Sequence, residues 1–435
     1  MNAKTKPESN KKIIFYFQIH QPRRLRKFQF FDIGTHDDYF DDRSNEKIVN
    51  RIAKNCYLPT NDLLLKMISK NPEIKISFSI SGVALDQFAT YCPEVIDSFR
   101  ALADTGSVEF LSETNYHSLA CLISEDEFHT QILQHAEKIY RYFGVRTTAF
   151  RNTELIYNNA IGEQVARMGF NAIICDDVIN VNPYTIYEHP DDDSFKILLR
   201  NNRLSDDIAF RFIQDKTTLT VDQYTSWLYN VPGDNSVTLL GLDYETFGEH
   251  RKKDSGIGIF LENLIKRIII DKRIKFAKPS SVLRQAVITE KLSVKDYISW
   301  ADEQKDLSAW LGNDMQTEAF NGLKELESIV KKIEDPELAN VWRNLQTSDH
   351  FYYMSTKTSA DGSVHSYFSP YSSPYEAFIN YMNILNDFRV KIKKASAASA
   401  QADPALVQEY ERRHTATPLW AVKLEAEHKE TFVSK

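Results

Sequence analysis

The sequence predicts an α/β protein: a closed or nearly closed barrel of parallel strands, followed by an all-helical region. Three observations predict it. Short apolar runs alternate with helix-like stretches about seven times over about 270 residues, the pattern of strands buried on both faces. From about Asp296 onward apolar residues recur at helical spacing and no strand pattern remains. The chain has 435 residues, 42% hydrophobic and 26% charged, a soluble globular balance that excludes wholesale disorder and a coiled-coil rod.

The elements follow in order. Residues 1–12 are polar and expected to be disordered. Ile13–Ile19 is a buried strand that ends at His20-Gln21-Pro22, where proline forbids further pairing. Asn61–Ser69 has a helical pattern and an Asn or Asp cap. Ile74–Ile80 is the second strand. After a helix over Glu94–Ala103 comes the third, Val108–Leu111. A helix from Ser124 to Phe143 leads to the fourth, Thr148–Arg151, and a helix over Ala160–Met168 to the fifth, Asn171–Cys175. Phe195–Leu199 or Ile208–Phe212 is the sixth, and Val237–Leu242 the seventh. These place the barrel at residues 13–290. A helical domain over 291–392 follows: Phe320, Leu323, Leu326, Ile329, Val330 and Ile333 recur at helical spacing, as do Phe378, Met382, Leu385 and Phe388. Residues 393–404 are small and polar, a linker pattern. Residues 405–435 form a last helix and a tail in which Trp420 is a packing anchor.

Charge excludes several classes. With 53 Lys+Arg against 60 Asp+Glu, the net charge of -7 opposes nucleic-acid binding and docking on anionic membranes. No window of about 18 apolar residues exists to span a bilayer. The opening MNAKTKPESNKK runs into IIFYFQIH without a signal-peptide pattern, so the expected location is cytoplasmic. Cys56, Cys92, Cys121 and Cys175 show no metal or redox spacing and are read as structural thiols.

In such barrels reacting groups sit at the carboxyl ends of strands. There the first strand offers His20, the third Glu109, Glu113 and His117, the fourth Glu154, and the seventh Asp243, Glu245 and His250. No GxSxG, P-loop or GxGxxG motif accompanies them. Carboxylates converging on one mouth suit glycoside hydrolysis, where one attacks and the other supplies a proton. From spacing alone Glu154 is either that group or the N-cap or first-turn acid of the next helix. Asp243 ends an apolar strand, where an unpaired charge is costly, which favours function. Taken by itself His20 reads first as a satisfied strand-end histidine, and His129 and His135 as surface or packing residues of their helix.

His20-Gln21-Pro22, GSVE at Gly106–Glu109, FRNTELIY, LDYETFGEH and SAWLGNDMQ around Trp310 occur in this order. In these motifs, over roughly residues 13–390, the chain resembles glycoside hydrolase family 57, close to its shorter α-amylase-like members. The resemblance implies an incomplete (β/α)7 barrel whose C-terminal helical region completes the site, a retaining mechanism on α-glucans, and neither an obligatory metal nor another cofactor. By position it makes Glu154 the nucleophile, Asp243 the general acid/base and His20 a sugar-hydroxyl contact. Trp310, in the motif returned by the helical region, and Glu245, which keeps an Asp-x-Glu arrangement, are expected substrate contacts. Glu113 and His117 are further expected substrate contacts. Two positions depart from the family pattern: Gln18 stands where many members have histidine, and Thr153 where proline often precedes the nucleophile.

Three functions are thus in play. The first is a retaining α-glucan hydrolase, or a 4-α-glucanotransferase on the same scaffold. The second is a metal-dependent carbohydrate deacetylase or α-mannosidase on a related barrel, with His117, Asp176, Asp177 and His250 as its cage. The third is a silent glycan-binding protein, which the presence of both carboxylates opposes. The substrate in view is a maltooligosaccharide or longer α-glucan.

Overall fold

A computed structural model describes residues 10–214, 216–283 and 290–401. Its strands are β1 (Lys12–Ile19), β2 (Ile76–Ile80), β3 (Val108–Phe110), β4 (Ala149–Arg151), β5 (Ala172–Cys175) and β6 (Ile186–His189). They continue with β7 (Asp192–Leu199), β8 (Ile213–Gln214), β9 (Thr217–Thr218), β10 (Val237–Asp243) and β11 (Lys275–Phe276). One sheet has the order β10-β1-β2-β3, with β11 also on β1; the other runs β4-β5-β7-β6. All these pairings are parallel except β6 on β7; β8 and β9 form a separate antiparallel pair. Parallel bridges Ser112↔Phe150 and Arg200↔Leu239 bring the sheets together at both edges. The parallel strands therefore follow one another as β1-β2-β3-β4-β5-β7-β10 and return to β1.

Strand periodicity explains why these runs are continuously apolar. Along β1, Ile13, Phe15, Phe17 and Ile19 enter the buried cluster shared with the surrounding helices. Ile14 and Tyr16 point the other way, into a cluster with Ala149, Ile174, Leu198 and Leu239 from neighbouring strands. Successive side chains alternate faces, so a strand buried on both needs no polar positions. The helix Glu125–Phe143 starts where Ser124 caps the Glu127 amide and stops at Gly144, at φ 67°.

Some expectations need correction. The helix expected at Asn61–Ser69 begins earlier, at Leu58, directly after a π-turn over Ala53–Tyr57. Of the two sixth-strand choices, Phe195–Leu199 lies in β7, whereas Ile208 closes the helix Asn202–Ala209. The Pro190-Asp191 turn pairs β6 back onto β7, a hairpin the alternating pattern did not announce. Helices Ser308–Leu311, Asp314–Lys324, Glu327–Ile333, Pro336–Asn344, Ser348–Tyr352, Ser359–Phe368 and Pro374–Gln401 make up the C-terminal part. The last runs straight through the expected linker as far as Gln401. Its alanines are the strongest helix formers, and serine between them does not break the helix. The remainder of that linker, the tail with Trp420 and residues 1–9 lie outside the described residues. Among the described residues no helix is long and apolar enough to cross a membrane.

Candidate active site

The strand ends deliver their side chains to one cavity of about 870 Å³, bounded by His20, His117, Glu154, Asp243, Glu245, Trp300 and Asp349 among others. Glu154 follows β4 in a single 3-10 turn, Thr153–Leu155, with φ 56°. A non-glycine residue there stores strain of order 1–3 kcal/mol, which surrounding structure must impose. The next helix is capped by Asn158, whose side chain accepts from the Ile161 amide, so Glu154 is not its cap. What imposes the turn is an antiparallel bridge: Tyr157 and Ile298 exchange hydrogen bonds of 2.9 Å, and the Trp300 amide donates to the Glu154 carbonyl at 3.2 Å.

That pairing also aims Trp300. Its indole N–H donates to Glu154 Oε2 at 2.7 Å. The guanidinium groups of Arg151 and Arg200 lie 5.8 and 5.4 Å from the indole ring. Glu154 Oε1 accepts from the Ser348 hydroxyl at 3.2 Å and faces His117 Nε2 at 3.2 Å. The other ring nitrogen of His117 meets Glu113 Oε2 at 2.8 Å, and Arg151 approaches that same oxygen at 3.4 Å. Arg151 is fully buried and also bonds Gln18.

These contacts fix the charges. Burial would raise the Glu154 pKa, but the hydrogen bond and charge of His117, with the Trp300 donor, bring it below the ordinary carboxylate value. Burial would lower His117, but its bonds to Glu113 and Glu154 raise it to about 9. Burial likewise opposes Glu113, yet His117 and Arg151 hold it down at about 2. His117 is therefore an imidazolium clamped between two carboxylates. His20 stacks on it at 3.9 Å. Burial and that neighbouring charge lower the His20 pKa, so its ring is neutral. Its bonds to Ser81 (2.7 Å) and Asp349 (3.0 Å) then assign Nδ1 as acceptor and Nε2–H as donor.

Asp243 closes β10, in register with Gln18 of the neighbouring β1. Burial first, and the charge on Glu154 second, push its pKa up to about 6. Two residues on, burial and then Asp243 push Glu245 up to about 8. Glu245 is held by the Tyr57 hydroxyl and by the Gln21 amide at 3.3 Å. Tyr57 comes from the π-turn, a feature frequent at functional sites. Gly248 lets the chain pass that turn: at φ 137°, a Cβ there would lie 2.1 Å from the Asn55 carbonyl oxygen.

Of the expected residues, His20, His117, Glu154, Asp243 and Glu245 meet around the cavity. Glu113 is fully buried behind His117 and orients it, so it is not a substrate contact. Trp310 is not a cavity residue either. It is 0% exposed, packed in the helical core with Tyr352 at 6.4 Å. The SAW helix turns its tryptophan inward, and Trp300, outside the motifs considered, holds the place expected of it. Glu109 caps the helix Pro279–Leu283 by accepting from Ser280. The four residues of the metal cage have other partners: His117 as above, Asp176 and Asp177 on Lys305, and His250 near the Tyr367 hydroxyl. Among the described residues no group of three or more His, Cys, Asp or Glu is arranged to hold a metal ion. Asp349 and Ser348 went unnoticed because no local pattern marks them. They arrive through the segment Gln346–Ser348, which hydrogen-bonds along Tyr116–Leu119.

The family model of Glycosyl hydrolase family 57 matches residues 14–299. A protein of Methanocaldococcus jannaschii named "Putative alpha-amylase" is 39% identical over 406 residues, 89% of this chain and 86% of that one. Among solved structures, a GH57-type branching enzyme from Pyrococcus horikoshii superposes with a TM-score of 0.67 at 12% identity, over 93% of this chain and 94% of that one. A 4-alpha-glucanotransferase from Thermococcus litoralis gives 0.61 at 15% identity, over 79% of this chain and 56% of that one. These two structures speak for the fold alone, a parallel α/β architecture. With the family model covering the barrel strands and a close relative spanning nearly the whole chain, the protein belongs to glycosyl hydrolase family 57 and is a glycoside hydrolase.

Proposed function

We propose that the chain is a retaining, α-amylase-like hydrolase of α-1,4-glucans, built on an incomplete (β/α)7 barrel whose helical C-terminal part completes the site. One juxtaposition carries this reading: Glu154 and Asp243 face the same cavity, the first with its pKa below the ordinary carboxylate value and the second with its pKa above it. A carboxylate held ionised by an imidazolium and an indole N–H is a nucleophile. A carboxyl kept protonated to about pH 6 by burial is an acid. Glu154 attacks the anomeric carbon as Asp243 gives its proton to the leaving glycosidic oxygen, forming a glycosyl ester on Glu154. Asp243, now ionised, takes a proton from water, whose oxygen displaces Glu154 and releases the sugar. His20, Asp349 and Glu245 line the cavity as hydrogen-bonding partners for sugar hydroxyls.

The names of the relatives support an α-glucan as substrate. Incubation with maltoheptaose, with products sized over time and their anomers read by proton NMR before mutarotation, tests the proposal. Shorter products released first as the α-anomer are expected. Initial β-anomer would overturn Glu154 as nucleophile, and products longer than the input would make the enzyme a transferase on the same site.

A further inference from the structure

The outer wall of the cavity has a different chemistry from its floor. Phe210, His250, Val364, Tyr367 and Phe368 border it, and three of these rings are well exposed: Phe210 59%, Tyr367 62% and Phe368 40%. Three of the five, His250, Tyr367 and Phe368, cluster. Tyr367 and Phe368 meet edge to face at 4.9 Å, and His250 lies 5.9 and 5.5 Å from them. An exposed apolar cluster continuous with a polar site marks a binding surface.

The helix that carries it is pinned. On Ser359–Phe368, His365 stacks on Tyr352 at 3.6 Å and meets Asp302 at 3.0 Å. Lys357, just ahead of the helix, pairs with the same Asp302 at 2.7 Å. Asp302 stands two residues after Trp300, so the rings are fixed relative to the catalytic cluster. A preordered platform binds without a further ordering cost.

The rings also lie on a definite side. Trp300, Ser348 and His117 surround Glu154, whereas His250 belongs to the segment running on from Asp243. The Glu249 and His250 amides both return to the Glu245 carbonyl, at 3.0 and 2.9 Å, so that segment is compact. Asp243 protonates the leaving oxygen. Of the two carboxyl groups it is the one whose own segment leads to a ring of this wall, His250, and that continuity assigns the rings to the leaving side.

We propose that Tyr367, Phe368, Phe210 and His250 form an aromatic platform for the leaving-side sugar units of the glucan, so that this helix sets preference for chain length. The inference rests on the α-glucan reading above. A pyranose presents a flat C–H face to the negative face of an aromatic ring, a contact tolerant of chain position.

The test compares maltoheptaose with α-maltosyl fluoride, whose leaving group is fluoride and offers neither a sugar nor a ring to stack. In the double variant Tyr367→Ala/Phe368→Ala, the ratio of kcat/KM for maltoheptaose over the fluoride should fall about tenfold or more, circular dichroism being unchanged. An equal fall on both substrates, or a constant ratio, would overturn the platform. Should the wild type cleave neither substrate, the hydrolase reading fails by itself. Calorimetric titration of maltoheptaose into Glu154→Gln protein, with and without the ring substitutions, then decides the platform. Affinity weakened about tenfold by the substitutions supports it; equal affinity, or no binding at all, refutes it.

Discussion

From spacing alone Glu154 reads only as a carboxylate at a strand end or the start of a helix, and its reading as nucleophile came from the family resemblance. Its role hangs on partners that sequence spacing does not reveal. His117 and Trp300 come from segments 37 and 146 positions away. Replacing Glu154 by Gln should cost about 10³-fold or more in turnover with the fold intact by circular dichroism; residual activity near wild type would remove it from the mechanism. The two carboxyl groups also set a pH profile for kcat/KM. In the proposed mechanism Glu154 must be ionised, and its pKa lies below the ordinary carboxylate value, while Asp243 must be protonated, and its pKa is pushed up to about 6. Activity should thus fall as pH rises through about 6, with the acid limb below the ordinary range. Trp300→Phe isolates one contribution: it keeps an aromatic ring but deletes the N–H donor to Glu154. Loss of a donor to the ionised form raises that carboxyl's pKa, so the acid limb should move to higher pH and kcat should fall about tenfold. An unmoved limb would mean that His117 alone holds the charge. The error at Trp310 has the same origin, for a motif tells which residues are near the site and not which way an indole turns.

Among elements, the strands were the easiest to read because burial on both faces leaves an uninterrupted apolar run. Helices with a clear stop were equally plain, Gly144 being the example. The β6–β7 hairpin was missed because Asp192, Asp193 and Ser194 mask the start of β7 with polar residues. The linker was misread because alanine and serine look like low complexity while alanine favours helix. Close approaches between elements were invisible in one dimension. Gly82 opens the helix Gly82–Tyr91 against the loop that carries His117, and a Cβ on it would lie 1.9 Å from Asn115 Oδ1 and 2.6 Å from the Asn115 carbonyl. Because backbone cannot yield as a side chain does, Gly82→Ala should destabilise by about 1–3 kcal/mol in urea denaturation and depress activity by displacing His117. Gly258 is the control. It lies in the helix Ile257–Asp271 with open space around it, so Gly258→Ala should stabilise by about 0.5–1 kcal/mol. Equal effects at the two glycines would show that the close approach carries no energetic weight.

At the scale of the whole molecule the site is a seam. His20, Glu113, His117, Glu154 and Asp243 come from the strand-rich part, and Trp300, Ser348 and Asp349 from the part after it. The buried charges across the seam therefore tie proton binding to folding of both parts. His117 has its folded pKa raised from 6.5 to about 9. The folded state holds that proton more tightly, so its stabilisation is full below pH 6.5 and is lost as pH rises through 9. Glu245 acts in the same direction: raised from 4.5 to about 8, it favours the folded state while protonated and disfavours it as pH climbs between those values. Glu113 is the opposite case. Lowered from 4.5 to about 2, it stabilises above 4.5 and stops doing so as pH falls toward 2. The ligand-free protein should consequently melt at its highest temperature in the mildly acidic range and lose stability steadily from about pH 6.5 to 9. His117→Gln removes the alkaline term while leaving a hydrogen-bonding group of similar reach. Its melting temperature should be lower near pH 6 yet change less between pH 6.5 and 9 than that of the wild type. A wild-type melting curve that stays flat over that interval, or a variant that follows the wild-type slope, would show that His117 is not the imidazolium bridging Glu113 and Glu154, and with it would go the reason for Glu154 being ionised.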